Sequence, residues 1–252
     1  MMKLGMVTYQ VAKDWSVSEI IEMCQKTDFA GVELRTEHAH GVEVSLTAAE
    51  RQAVRQQFAD SGIVLWCLGS TCEYHSNDPA VLQGNIDLTQ EWVKLAADVG
   101  AVGVKVRPNS FVEGVAEADT LRQIGLALRE CGEFAAGYGI KLMLEVHGRG
   151  TQDPRHIRTI MDHCNHPQVG VTWNCNAGEV VEGSIRANFE LLAPWIWSAH
   201  IHDLYEPYPY RGFIGLLKGI GFDGFCLIEM PGSCEPERLL QYYSRLWAEW
   251  TK

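Results

Sequence analysis

The stretch LMLEVHG, residues 142–148, ends an apolar run with one acid and one histidine. Leu142 to Val146 reads as a buried strand, and alternation along it turns Glu145 and His147 to the same side. A carboxylate in such a place is costly unless something pairs with it or coordinates it. The same kind of ending recurs along the chain. Apolar runs finish in Tyr9 and Gln10, Glu33 and Arg35, Glu73 and His75, and Lys105 and Arg107. The later runs finish in Glu145 and His147, Asn174 and Asn176, His200, His202 and Asp203, and Glu229. Taken singly, each ending has a structural explanation. A lone His200 or His202 suits a satisfied core histidine, and a lone Lys105 suits an ion pair across a barrel mouth. Eight runs that all end in polar, ligating side chains point to one site.

The elements that must carry these residues can be read from periodicity. Strands are expected at 4–9, 31–34, 63–69, 102–106, 140–146, 169–174, 196–202 and 225–230. Helical patterns separate them. Leu121, Ile124, Leu128, Cys131, Ala135 and Tyr138 form one apolar stripe, and Leu239, Tyr243, Leu246 and Trp250 form another at the C-terminus. Thr47 and Glu50 have the spacing of a capping box, while Asp78-Pro79 and Asp153-Pro154 set a cap residue before proline at the first helical position. Gly31, Gly62, Gly100 and Gly139 fit helix C-caps. Strand–helix alternation favours a parallel sheet, and eight units in 252 residues have the size of one (β/α)₈ TIM barrel, an α/β fold spanning 1–252. An open doubly wound sheet would normally carry a Gly-rich phosphate turn after the first strand, and VTYQVAKD has none. In a (β/α)₈ barrel the eight polar endings fall together at the C-terminal mouth.

Composition narrows the function. The net charge is −11, with 32 acidic and 21 basic side chains, and no Lys/Arg cluster supplies a basic face, so a nucleic-acid partner is not expected. No apolar stretch approaches the roughly 20 residues that span a bilayer, so no membrane partner is expected either. The start, MMKLGMVTYQV, lacks the apolar run of a secretory signal and reads as a first strand, which makes the cytoplasm the expected location. The eight cysteines are scattered without a C-x-x-C pair, as reduced packing residues would be. The aromatic C-terminal segment YYSRLWAEW suits packing on the barrel or contact with a second copy of the chain, a homo-oligomer.

Over nearly its whole length, and most strongly from Glu145 onward, the sequence resembles the xylose-isomerase-like TIM barrels, the sugar phosphate isomerase/epimerase family. That family places a Glu after strand five, an Asp after strand six, a His after strand seven and a Glu after strand eight, and together they hold one divalent metal. LMLEVHG supplies Glu145, SAHIHDL supplies His202 and GFDGFCLIEM supplies Glu229, while VGVTWNCNAGE puts Asn174 where the family has Asp. The resemblance thus implies a metal set of Glu145, Asn174, His202 and Glu229. Two carboxylates, an imidazole and an amide oxygen suit Mn, Mg or Co, with Zn also compatible. Asn in place of Asp removes one negative charge, which should weaken the hold on the ion and strengthen its pull on a carbonyl.

The activity the resemblance implies is sugar isomerisation or epimerisation by proton transfer through an enediolate, with Glu145 and Glu229 as base and acid. A sugar, keto or phosphorylated, is the expected substrate, although no Gly-rich phosphate loop appears. Lys105, Arg107 and His147 are candidates for holding substrate oxygens or an enolate, with Lys105 counted among the catalytic groups. Glu33, His75, Asn176 and His200 are further candidates for substrate contact. The same enolate could instead expel a leaving group, as in a keto-sugar or keto-glycoside lyase. A chain that has lost the metal would be a non-catalytic sugar-binding barrel. Endonuclease IV shares the wider superfamily, but its chemistry needs more histidine ligands and a basic groove.

Overall fold

The computed structural model describes residues 2–252, so Met1, the first residue of the expected domain, lies outside it. Eight parallel strands close into a barrel in chain order, β1 pairing with β8. They are β1 Lys3–Val7, β2 Gly31–Arg35, β3 Val64–Glu73, β4 Gly103–Arg107, β5 Lys141–Glu145, β6 Val169–Asn174, β7 Ile196–Ile201 and β8 Phe225–Ile228. Between and after them run α1 Val17–Lys26, α2 Ala48–Ser61, α3 Pro79–Val99, α4 Glu117–Ala136, α5 Pro154–Cys164, α6 Arg186–Leu192, α7 Tyr210–Gly219 and α8 Pro236–Trp250. The closed barrel excludes the open doubly wound alternative. Among the described residues, no helix is long and apolar enough to cross a membrane.

The pleat sorts each strand's side chains between two apolar layers. Outward residues such as Leu142, Leu144 and Val146 join the helices in one continuous core. Inward residues form a separate, smaller cluster in the lumen: Val7, Trp66, Cys67, Met143, Phe225 and Leu227. That lumen plug fills the half of the barrel where the strands begin. Trp66 packs on Phe225 with ring centroids 5.0 Å apart, and its indole N–H donates to Ser198 Oγ at 3.1 Å. All eight cysteines are free, seven of them buried and Cys234 exposed, in keeping with a packing role.

The helix starts form as their residues dictate. Thr47 and Glu50 make a reciprocal capping box, and Asp78 and Asp153 each accept a backbone N–H two residues on. Three details differ from the sequence reading. Gly31 is no helix cap: α1 ends at Thr27, and Gly31 opens β2 facing the lumen, where a Cβ would lie 2.5 Å from the Phe225 ring. Packing around a large neighbour, not a turn, requires this glycine. Similarly, α4 is closed by Gly137, while Gly139, with φ at 69°, serves the turn into β5, and Tyr138 lies past the helix and is exposed. On α8 the buried stripe is Leu240, Tyr243 and Trp247, one residue round from the expected Leu239, Leu246 and Trp250. The helix is rich enough in apolar residues for either register, and contact with the barrel selects one.

Candidate active site

The polar endings converge where the strands finish. A cleft of 410 Å³ opens there, lined by Lys105, Arg107, Glu145, His147, Asn174, Asn176, His202 and Glu229, together with Tyr9, Arg35 and Gln152. Larger cavities lie elsewhere, including one of 680 Å³ at the opposite mouth. Chemistry distinguishes the smaller cleft, because its floor is a network of buried charges.

That network begins with Lys105 on β4 and Glu145 on β5. Lys105 Nζ donates to Glu145 Oε2 at 2.7 Å, and both side chains are buried. Burial alone would drive each toward its neutral form. Instead the nearby Glu145 and Glu33 carboxylates hold Lys105 above its usual range. The charges of Lys105 and His200 hold Glu145 well below the usual carboxylate range. An ion pair out of water stabilises only when its remaining atoms are also satisfied. Here the second carboxylate oxygen turns to a different set of partners. Asn174 Nδ2 donates to Glu145 Oε1 at 3.3 Å, and His200 Nδ1 lies 3.3 Å from the same oxygen.

His200 is fully buried on β7. Its Nε2 contacts Glu33 Oε2 at 3.1 Å, and its Nδ1 stands 3.6 Å from Glu229 Oε2. Burial would lower its pKa, but the surrounding carboxylates raise it well above the usual histidine range. His202, two residues on, is part-exposed at the cleft rim, 3.9 Å from Glu229 and 3.8 Å from Glu206. The groups whose ligating atoms all lie within 4.8 Å of one another are therefore Glu145, His200 and Glu229. His202, the histidine drawn from the resemblance, is not among them.

This cluster has the character of a cation site. His200 Nδ1 and Asn174 Oδ1 are buried without a hydrogen-bond partner, and both belong to residues in contact with Glu145 Oε1. Buried polar atoms are rarely left so, and here the two lie beside the carboxylates that a cation would bridge. The donor set of carboxylate, carboxylate, imidazole and amide oxygen fits one divalent ion.

The remaining residues of the sequence reading divide cleanly. Arg107 lines the cleft with its Nε unpartnered, 3.5 Å from Glu73 through Nη2. His147 also lines it, and burial lowers its pKa, so it stands there as a neutral imidazole. Asn176 joins them, held by Nδ2 bonds to Val146 O and Glu179 Oε1. Glu33 and His200 lie beneath the cleft, and His75 lies outside its lining. Two participants escaped the sequence reading. Gln152 reaches the cleft from the loop after β5, where nothing in its neighbours marks it. Glu179 is a buried acid behind Asn176, bonded by Tyr208 Oη at 2.7 Å, and burial pushes it up to about 8.

A closed parallel barrel whose strand ends gather two glutamates, a histidine and a buried lysine defines a (β/α)₈ protein with a polar catalytic-type mouth. The sequence profile of the xylose isomerase-like TIM barrels matches residues 21–249, and the chain belongs to that family. Among curated proteins, none matches this sequence. Among solved structures, 3-keto-D-glucoside 4-epimerase YcjR from E. coli is 13% identical, with a TM-score of 0.81 and 99% of each chain covered. D-psicose 3-epimerase with D-tagatose from Clostridium cellulolyticum H10 is also 13% identical, with a TM-score of 0.82 and 99% of each chain covered. The IolI protein with a bound zinc atom is 16% identical, with a TM-score of 0.78, covering 99% of this chain and 96% of that one. At these identities the likeness is one of fold.

Proposed function

We propose that this protein is a metal-dependent isomerase or epimerase of a keto-sugar that works by proton transfer through an enediolate. One observation carries the reading: Glu145, His200 and Glu229 bring their ligating atoms within 4.8 Å of one another at the floor of the cleft. Similarity of fold to sugar epimerases, and to a protein with a bound zinc, supports it. Glu145, Glu229 and His200, with Asn174 Oδ1, would hold the ion. His200, whose Nδ1 stands 3.6 Å from Glu229 against 3.9 Å for His202 Nε2, would supply the imidazole in place of His202. When bound, a divalent ion supplies Lewis acidity to a substrate carbonyl, which makes the adjacent C–H more acidic.

The chain's own residues supply the rest. Lys105 keeps Glu145 ionised in a buried position, the form in which this carboxylate would accept a proton from carbon. Glu229, part-exposed and lining the cleft, would return a proton. The Lys105 ammonium also offers positive charge where an enediolate develops. Neutral His147, with Arg107, Arg35 and Asn176, presents hydrogen-bonding groups around the cleft for sugar hydroxyls.

Incubation with keto-sugars in D₂O tests the proposal. Deuterium entering an otherwise intact sugar, dependent on added Mn²⁺, is the expected result. Loss of a leaving group would instead make the protein a lyase, and binding without exchange would make it a sugar-binding barrel.

A further inference from the structure

We infer that Glu33 is a positioning residue that sets the His200 ring so that Nδ1, and not Nε2, faces the two glutamates. This inference rests on the reading of His200 as a ligand of the ion. Glu33 stands in the middle of β2 and His200 one residue before the end of β7, and they meet across the lumen with Glu33 Oε2 3.1 Å from His200 Nε2. Each side chain is only 1% exposed, so bulk solvent reaches neither.

An imidazole has two nitrogens, and a ligand needs one of them free of hydrogen and correctly aimed. A carboxylate accepts but never donates when ionised, so its contact with Nε2 fixes the N–H there. Nδ1 is then the nitrogen that would release its proton and give its lone pair when an ion binds. It lies 3.3 Å from Glu145 Oε1 and 3.6 Å from Glu229 Oε2, with no hydrogen-bond partner of its own. The arrangement is a carboxylate–histidine pair behind a ligand position, the general device by which proteins orient a metal-binding ring.

Substrate contact, the role the sequence pointed to for Glu33, does not fit its place. The residue lies beneath the cleft and is absent from its lining. Space is reserved for it instead. A Cβ at Gly69, on the neighbouring strand, would stand 2.8 Å from Glu33 Oε1. Gly69 thus leaves room for the carboxylate in the orientation that meets His200.

Mn²⁺ titration by calorimetry of the parent, Glu33→Ala, Glu33→Gln and Gly69→Ala proteins tests the role, with thermal melting of each as the check on folding. Glu33→Ala should bind Mn²⁺ about 10- to 100-fold more weakly. Glu33→Gln keeps an acceptor for Nε2–H but not its charge, so its loss should be smaller. Gly69→Ala, which crowds the carboxylate without removing it, should also weaken binding and covers the case in which Glu33→Ala does not fold. Parent-like affinity in the folded Glu33 variants overturns the inference. A second readout needs no metal: the His200 Nε2–H, assigned by its ring nitrogen, should give a downfield proton resonance in the metal-free parent and lose it in Glu33→Ala. A parent that takes up no Mn²⁺ defeats the proposed function, and this resonance then decides the role of Glu33 by itself. Its presence supports the orienting contact, and its absence overturns it.

Discussion

The two halves of the barrel lumen are built on the same pleat and hold opposite contents. Where the strands begin, Phe225, Trp66, Met143 and Leu227 pack together, and Gly31 gives up its side chain to make room for Phe225. Where they end, Glu33, Lys105, Glu145 and His200 are almost as deeply buried, yet all can carry charge. The first half stabilises the barrel by apolar burial. The second tolerates desolvated charge only because each group has an opposite neighbour, as in the 2.7 Å contact of Lys105 with Glu145. Stability and chemistry are thus separated by a few residues along each strand, and substitutions at the two levels should fail in different ways.

The sharpest break falls on the proton carriers. Glu145→Gln and Glu229→Gln should each reduce solvent-proton exchange into a keto-sugar by about 10³-fold or more, read by NMR in D₂O. Near-full exchange in either variant would rule out the two-carboxylate mechanism. At the other level, Phe225→Ala should cost about 3–5 kcal/mol of unfolding free energy, read in urea titrations. Its turnover per folded molecule should stay close to the parent's. If Phe225→Ala instead loses turnover without losing stability, the division between the two halves is wrong.

Lys105→Met lies between these extremes. It leaves Glu145 buried without its 2.7 Å partner, so turnover should fall by about 10²-fold while Mn²⁺ still binds. A variant that loses metal as well would mean that Lys105 holds the ligand set together. Asn174→Asp is a smaller change. The added charge beside Glu145 should tighten Mn²⁺ binding by about tenfold or more, with turnover flat or lower, because the ion polarises a carbonyl less strongly. Unchanged affinity in a calorimetric titration would mean that Asn174 does not touch the ion.

The gentlest test concerns Glu179, whose carboxyl burial pushes up to about 8 from 4.5. In the folded state it keeps a proton that the unfolded chain releases near 4.5. Folding stability should therefore fall as pH rises from about 4.5 to about 8, by up to a few kcal/mol, and level off above that range. Thermal melting of the parent and of Glu179→Gln across pH 5 to 9 checks the sign. The glutamine variant should lack this decline.

Much of the fold was legible in one dimension, because a period of two and a period of about 3.6 leave different marks on a sequence. Eight alternating units, the Thr47–Glu50 capping box and the polar strand endings required no knowledge of contacts. Alternation also placed Glu145 with His147, and Lys105 with Arg107, on one side of their strands. Some local features did not follow. Gly31 looked like a cap because helix-terminal and close-packed glycines are the same residue in a sequence. The α8 stripe was one residue off, because Leu239, Leu240 and Leu246 are equally apolar and only the barrel surface distinguishes them.

The sequence by itself determined which side of each strand faces the lumen; the tertiary structure decided how deep each residue sits there. His200 and His202 share a side, but two residues along a strand is roughly 6.6 Å of height. Pairing in the closed sheet sets that height, with His200 level with Asn174 on β6 and Leu227 on β8. At that depth it meets Glu33, Glu145 and Glu229, while His202 reaches the rim. The same cause put Glu33 beneath the cleft, whereas the loop after β5 brought Gln152 into it. Depth depends on how eight strands stagger against one another, and no single strand encodes that.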